Sequence, residues 1–395
     1  MKFRFLAGLL LVEMLGCLGC SNNNNTTTTT VGDLYVTTAG NTAVQAYGIT
    51  LSSGALSTDG PAVQTGTGAG SSPTAMAISP DVTTLVAANS NCSNSTKGCL
   101  SVYTINGDGS VAAVSGNPAT GTNPVALAFN PAGTFLFVAN QGSSNISVYS
   151  VSGTTLAEVA GSPFSTITPG VTNPTQPVAV AISASGSYLY VANNFTSTVS
   201  IFSIGSSGAL TQSTFGPYNV GLNPSALGIT PTGSFLYVAN FADNNVSAFA
   251  ICDKVTNTCS NASSPDGSLS PVTGSPFSAG IGPTAISTDT TGTFLFIVNK
   301  SSNQISQFRI STGTGVLAAN VPAAVSAGTT PVSLVAVLGT TLISATGGTT
   351  EYLYVANNGG TSISIFSFDS TLGQLGILGQ PTATISGNPT AVTAR

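Results

Sequence analysis

Each end of this chain carries half of a pattern that its middle repeats whole. The full pattern is clearest at 177–204, PVAVAISASGSYLYVANNFTSTVSIFSI. It contains three short runs rich in Val, Ile, Tyr and Phe, with Gly186 between the first two and Asn193–Asn194 after the second. Short, β-branched, turn-bounded runs read as antiparallel strands. A weaker fourth strand is expected from Ala209–Leu210, beyond Gly208. A single four-stranded unit cannot bury both of its faces and needs copies of itself beside it.

Pro73, Pro124, Pro177, Pro224, Pro283, Pro331 and Pro389 each open a copy, at intervals of 47 to 59 residues. The second run recurs as TLVAAN, FLFVAN, YLYVAN, FLYVAN, FLFIVN and YLYVAN, ending at Asn89, Asn140, Asn193, Asn240, Asn299 and Asn357. Near the amino end, LYVTT at 34–38 has no proline segment before it. At the carboxyl end, PTAVTAR at 389–395 has nothing after it. Together they make one unit. A solenoid caps its ends separately, whereas a ring joins them and removes its unpaired edges. The expected fold is all-β: a seven-bladed β-propeller of four-stranded antiparallel blades over 33–395. The C-terminal strand closes the first blade, one strand joining three.

Residues 1–19 differ from this pattern. Lys2 and Arg4 precede an apolar stretch interrupted by Glu13, with Cys17 and Cys20 near its end. These features read as a secretory signal peptide, followed by an Asn/Thr-rich tether at 20–32. LGCLGCS resembles a bacterial lipobox with Cys20 as the lipidated residue, although Cys17 stands where leucine is usual. Plain secretion is the alternative. A mean hydropathy of +0.36 suggests a membrane protein, yet after residue 31 no apolar run approaches the roughly 20 residues of a spanning helix. The expected location is the bacterial cell envelope, with membrane contact only through a lipid.

Without residues 1–19 the chain has five basic and eleven acidic residues, a formal charge of −6. So few cations cannot follow a phosphate backbone, which excludes nucleic acid as a partner. The remaining cysteines form two pairs, Cys92/Cys99 and Cys252/Cys259, each within an insertion. In an exported chain these read as local disulfides. A metal site is the weaker reading, since no histidine is present to complete a ligand set. Neither a metal nor a cofactor is called for. Asp108–Gly109 and Asp266–Gly267 read as hairpin turns.

The recurring YVAN, preceded by PxAVAISPxG and followed by NxxSVYSI-like strands, resembles the YVTN-repeat propellers. These belong to a lactonase-like group that includes propeller-type 6-phosphogluconolactonases and muconate cyclases. The resemblance spans 33–395 and implies the fold. Its enzymatic members use a His, Glu and Arg cluster near the central channel. This chain has no histidine, and Arg309 and Arg395 are its only arginines after residue 19, so no catalytic residue is carried over.

The six repeated asparagines read as strand-end amides that satisfy turn backbone. What varies among blades is more informative about function. Gln141, Asn194, Phe195, Phe241, Asp243 and Lys300 lie in connections expected on one rim of the channel, and form the candidate ligand-binding set. The sequence thus points to an exported, lipid-anchored, non-catalytic binding or scaffold protein of the envelope. Its partner would be a protein, peptide or glycan. The alternative is a lactonase-type hydrolase with a non-standard site.

Overall fold

Of the strands in each unit, the second is the most hydrophobic, and its surroundings explain why. In 188–193, Leu189, Tyr190, Val191 and Ala192 are all fully buried. A strand covered on both faces needs no polar alternation. Both faces are covered because each sheet stands edge-on to the ring's centre, between two neighbours. The computed structural model, which describes residues 30–50, 53–66, 72–92, 96–170, 172–259, 263–338 and 350–395, shows seven such sheets arranged radially. The leader, Cys20 and the tether as far as residue 29 lie outside the described residues.

In the fourth blade the strands run Pro177–Ile182, Tyr188–Asn193, Thr198–Ile204 and Leu210–Gln212, paired in that order from the channel outward. In the first five blades the outermost position is split, two short segments pairing with the same third strand. The first blade departs in connectivity alone. Its inner strand is Asn388–Ala394, paired antiparallel with Thr30–Ala39, with Val36 opposite Val392. The ring therefore closes by one strand joining three. Strand pairing also begins earlier than expected, since Thr30 already pairs with Thr50.

The core is divided among seven seams between blades. At the closing seam, Leu34, Val36, Tyr47 and Ile49 of blade 1 pack against Tyr352, Tyr354, Ile363 and Ile365 of blade 7. Buried tyrosines fasten several seams from below. Tyr35, Tyr190, Tyr237 and Tyr354 donate their hydroxyls to the carbonyls of Gly109, Gly267, Gly315 and Gly54, each in the hairpin turn of the next blade. Gly109 and Gly267 have φ of 89° and 81°, a conformation that disfavours side chains.

The lower face also shows how the cut in blade 1 is repaired. In five blades the residue six positions after the opening proline caps the turn into the second strand. Ser79, Asn130, Ser183, Thr230 and Asp289 accept from the backbone N–H of Thr84, Phe135, Tyr188, Phe235 and Phe294. In blade 1 that position is Arg395, where the chain ends. Its guanidinium pairs with the buried Asp33 carboxylate, and its N–H donates to the Asp33 carbonyl at 3.0 Å. An ion pair thus stands where the other blades have a covalent turn. Asp33 occupies the position held by Phe135, Tyr188, Phe235, Phe294 and Tyr352 elsewhere, each beneath a turn glycine.

Both expected disulfides are formed, Cys92–Cys99 and Cys252–Cys259. Each closes an excursion from the blade pattern, in blades 2 and 5. Alkylation of the folded, unreduced protein should leave all four cysteines unmodified by mass spectrometry. A labelled pair would contradict this assignment.

Candidate functional site at the upper mouth of the channel

All seven inner strands contribute to one central cavity of about 250 Å³. Its wall is neutral. Ala, Val, Leu, Ile and Met76 alternate with the hydroxyls of Thr74, Ser225, Thr284, Ser333 and Thr390. These positions lie just after the opening prolines, so the cavity opens toward the upper face. Second strands end on this face and connections arrive from the preceding blade.

Beneath that face lies the asparagine ring. Asn89, Asn140, Asn193, Asn240, Asn299 and Asn357 are fully buried. Each Nδ2 donates to a serine hydroxyl on the third strand of its own blade: Ser101, Ser147, Ser200, Ser247, Ser306 and Ser364, at 2.8–3.1 Å. Each Oδ1 lacks a protein partner, so the donor side carries the amide's contribution. The arriving connection lies against it. At Gly121, Gly221 and Gly280 an added Cβ would come within 2.7 Å of the asparagine Cγ. The ring is a structural floor, but its shared partners are third-strand hydroxyls and not the turn backbone that its position at the strand ends suggested. Asn193→Ala should cost about 2 kcal/mol by stranding the Ser200 hydroxyl. Ser200→Ala in the same chain should recover part of it in chemical denaturation. Additive losses would deny the coupling.

The residue after each asparagine turns over the channel mouth. These are Ser90, Gln141, Asn194, Phe241, Lys300 and Asn358. Asn194 and Asn358 donate to the carbonyls of Pro224 and Pro389 at 3.0 Å, each the opening proline of the next blade's inner strand. In blades 2 and 5 the hydroxyls of Thr74 and Ser225 make the same bond, to Pro124 and Pro283 at 2.6 Å. Blades 4 and 7 have Val178 and Val332 at that inner position, and there the asparagine amide supplies the missing donor.

The structure brings the six sequence-predicted site residues to this one rim. Gln141 is half-buried, its Oε1 accepting from Asn123 Nδ2 at 2.9 Å. Asn194 is held as described. Phe195, Phe241, Asp243 and Lys300 are exposed. Asp243 Oδ2 accepts from the Leu222 N–H at 2.8 Å, fixing one oxygen to the connection that enters blade 5. Lys300 donates its backbone N–H to the Gly282 carbonyl. Leu222 and Ile281 also belong to this rim, beyond the six residues that the sequence singles out. They stand two residues before Pro224 and Pro283, where Thr122, Thr175 and Thr329 precede Pro124, Pro177 and Pro331. That contrast was available in the repeat alignment.

Other carboxyl groups lie on the lower face. Asp59 is raised above the usual carboxylate range, first by burial and then by the neighbouring Asp33 charge. Glu351, fully buried, is raised by burial, although it accepts from the N–H and hydroxyl of Thr290; the charge of Asp289 adds to the rise. A carboxyl with a raised folded pKa stabilises the fold only while protonated, so stability falls as pH rises through that value. Glu351→Gln should therefore flatten the decline in melting temperature as pH rises above the ordinary glutamate value of 4.5. An unchanged slope would mean that Glu351 does not drive it. Among the described residues, no group of three or more acidic or cysteine side chains is placed to hold a metal ion.

Comparison with solved structures supports the architecture. The chain is similar to a candidate 6-phosphogluconolactonase from Bacteroides fragilis, with 19% identity and a TM-score of 0.73, covering 94% of this chain and 100% of the other. It is similar to a second candidate 6-phosphogluconolactonase, from Bacteroides uniformis, with 18% identity, a TM-score of 0.72 and coverage of 92% and 99%. A periplasmic gluconolactonase from Pseudomonas aeruginosa gives 21% identity, a TM-score of 0.70 and coverage of 92% and 98%. No curated protein matches the chain. The family model described as lactonase, 7-bladed beta-propeller matches residues 33–157 and 156–272, more than half of the sequence. These findings correct the expectation of a non-catalytic envelope scaffold and favour the lactonase alternative. By this match the chain belongs to the lactonase family of seven-bladed β-propellers.

Proposed function

We propose that the protein is a lactone hydrolase working at the upper mouth of its channel. The feature that carries this reading is a carboxylate and a lysine in the upper-face connections of adjacent blades, in a lactonase-family propeller whose central cavity is neutral and hydroxyl-lined. Asp243 and Lys300 follow the second strands of adjacent blades, whose inner strands line the cavity.

Opening a lactone requires three acts. A base takes a proton from water as its oxygen attacks the carbonyl carbon. A positive or donating group holds the oxyanion. The ring C–O bond then breaks, and its oxygen regains the proton, giving a hydroxy acid. Asp243, with one oxygen fixed by the Leu222 N–H and the other free to face water, is suited to the first. The Lys300 ammonium suits the second. A carboxylate base is sufficient where the ester is already activated by its ring.

We place this chemistry outside the cytoplasm. The two disulfides support that placement, since such bonds persist in oxidising compartments. The test is proton release in weak buffer with a panel of sugar, alkyl and homoserine lactones. The expected result is turnover of at least one, with Lys300→Ala raising KM or lowering kcat while the fold is retained. Rates equal to buffer for every lactone would overturn the reading.

A further inference from the structure

The upper mouth has two unlike halves. On blades 2, 3 and 7 its positions are Ser90, Gln141 and Asn358, with Thr122 and Thr329 in the arriving connections. On blades 4 to 6 the same positions are Asn194, Phe241 and Lys300, with Thr175, Leu222 and Ile281 arriving. With Phe195 they add four apolar side chains open to solvent: Phe195 is 57% exposed, Leu222 57%, Phe241 38% and Ile281 60%. Eight large hydrophobic side chains are strongly exposed among the described residues, and half of them share this arc. Scattered single exposures are ordinary, whereas a contiguous arc beside a cavity marks a binding surface.

Backbone bonds hold the arc in place. Phe241 N–H donates to the Asn223 carbonyl, Ala242 N–H to Leu222, and Ser301 N–H to Ile281. The Phe241 ring lies beside Gly282, where an added Cβ would approach its Cε2 to 3.0 Å. Arc and cavity are continuous, because Leu222 and Ile281 stand two residues before the prolines that open inner strands. The adjoining wall carries the Ser225 and Thr284 hydroxyls just after those prolines and the apolar Leu227 and Ile286 two residues further along. A cavity of about 250 Å³ fits a small ring and is too small for a folded partner's loop.

We propose that the substrate is a lactone bearing an alkyl or acyl chain, rather than a polyhydroxylated or phosphorylated sugar lactone. The ring sits in the cavity and the chain lies across Phe195, Leu222, Phe241 and Ile281. This rests on the hydrolase reading for its chemistry and on the arc alone for its selectivity. A phosphorylated lactone would need a cluster of donors for its dianion. The cavity wall has no cation, and Lys300 alone does not make a cluster. Each methylene withdrawn from water adds about fourfold to affinity.

The test separates binding from turnover. Calorimetry with the full chain compares γ-butyrolactam, a non-hydrolysable ring, with the same ring carrying an eight-carbon acyl chain. The acylated lactam is expected to bind at least a hundredfold more tightly. Phe195→Ser, Leu222→Ser and Ile281→Ser combined should erase that preference without moving the melting temperature. If the acylated lactam binds and no lactone is hydrolysed, the selectivity stands and the hydrolase reading fails. Equal affinities, or no binding of either lactam, would overturn the proposal. So would a shift from dimer to monomer in the triple variant by light scattering, since the arc would then be an interface between copies.

Discussion

Removal of residues 389–395 is expected to abolish the soluble, cooperatively melting protein. These residues supply most of the inner strand of blade 1, and with them go its pairing with Thr30–Ala39 and the Arg395–Asp33 ion pair. Val392 also leaves the core of the closing seam. The truncated ring exposes a strand edge on blade 1, and the flanks of blades 7 and 2 lose cover. An unpaired edge next to apolar surface invites aggregation. Arg395→Ala is the graded version. It leaves the strand in place and the Asp33 carboxylate buried without its cation, at a cost of about 3 kcal/mol. Asp33→Asn with Arg395→Ala should recover part of that loss, because the stranded charge is then gone. Thermal melting of the three variants checks the sequence of effects. Wild-type melting of the truncated chain would disprove one-plus-three closure.

Closure is legible in the sequence because it is a property of the repeat. Two unmatched halves in a chain of otherwise complete units admit few arrangements, and Leu34–Thr38 with Pro389–Arg395 named the partners. The asparagine floor was legible for a similar reason, since six copies of one residue at one strand end serve the strand. Its donor targets, the third-strand serines, stood in the same motif.

The Arg395–Asp33 pair was not legible. Their separation of 362 positions becomes a contact only once the ring has closed. The repeat does align Arg395 with Ser183 and Thr230, six residues after the opening proline, but does not show that this position caps a turn. The exchange of Thr74 and Ser225 for Asn194 and Asn358 as donors across seams was hidden likewise, because donor and acceptor belong to different blades. The rim set was reached by looking for residues that vary among repeats. It stopped short of Leu222 and Ile281 because exposed aliphatic residues carry no chemical signature in one dimension. The functional expectation failed for a different reason. A missing histidine removes the easiest general base near neutral pH, but a positioned carboxylate can do the same work.

The second large effect concerns that carboxylate. Asp243→Asn keeps the size of the side chain and a carbonyl oxygen able to accept from the Leu222 N–H at 2.8 Å, so the loop and the arc beside it should be unchanged. It removes the group assigned to take the proton from water. Loss of a general base typically lowers the rate about 10²–10⁴-fold, with little change in binding of the ring. The melting temperature should stay within about 2 °C of wild type, since an exposed polar exchange moves stability by only a few tenths of a kcal/mol.

The most direct test of the central claim is therefore proton release from an acyl-substituted γ-lactone by wild type and Asp243→Asn, at matched concentration and confirmed fold. The account predicts saturable turnover by wild type and a kcat about a hundredfold lower or less in the variant, with the affinity for the non-hydrolysable lactam retained. Equal turnover by the two proteins, or none by wild type, would contradict it.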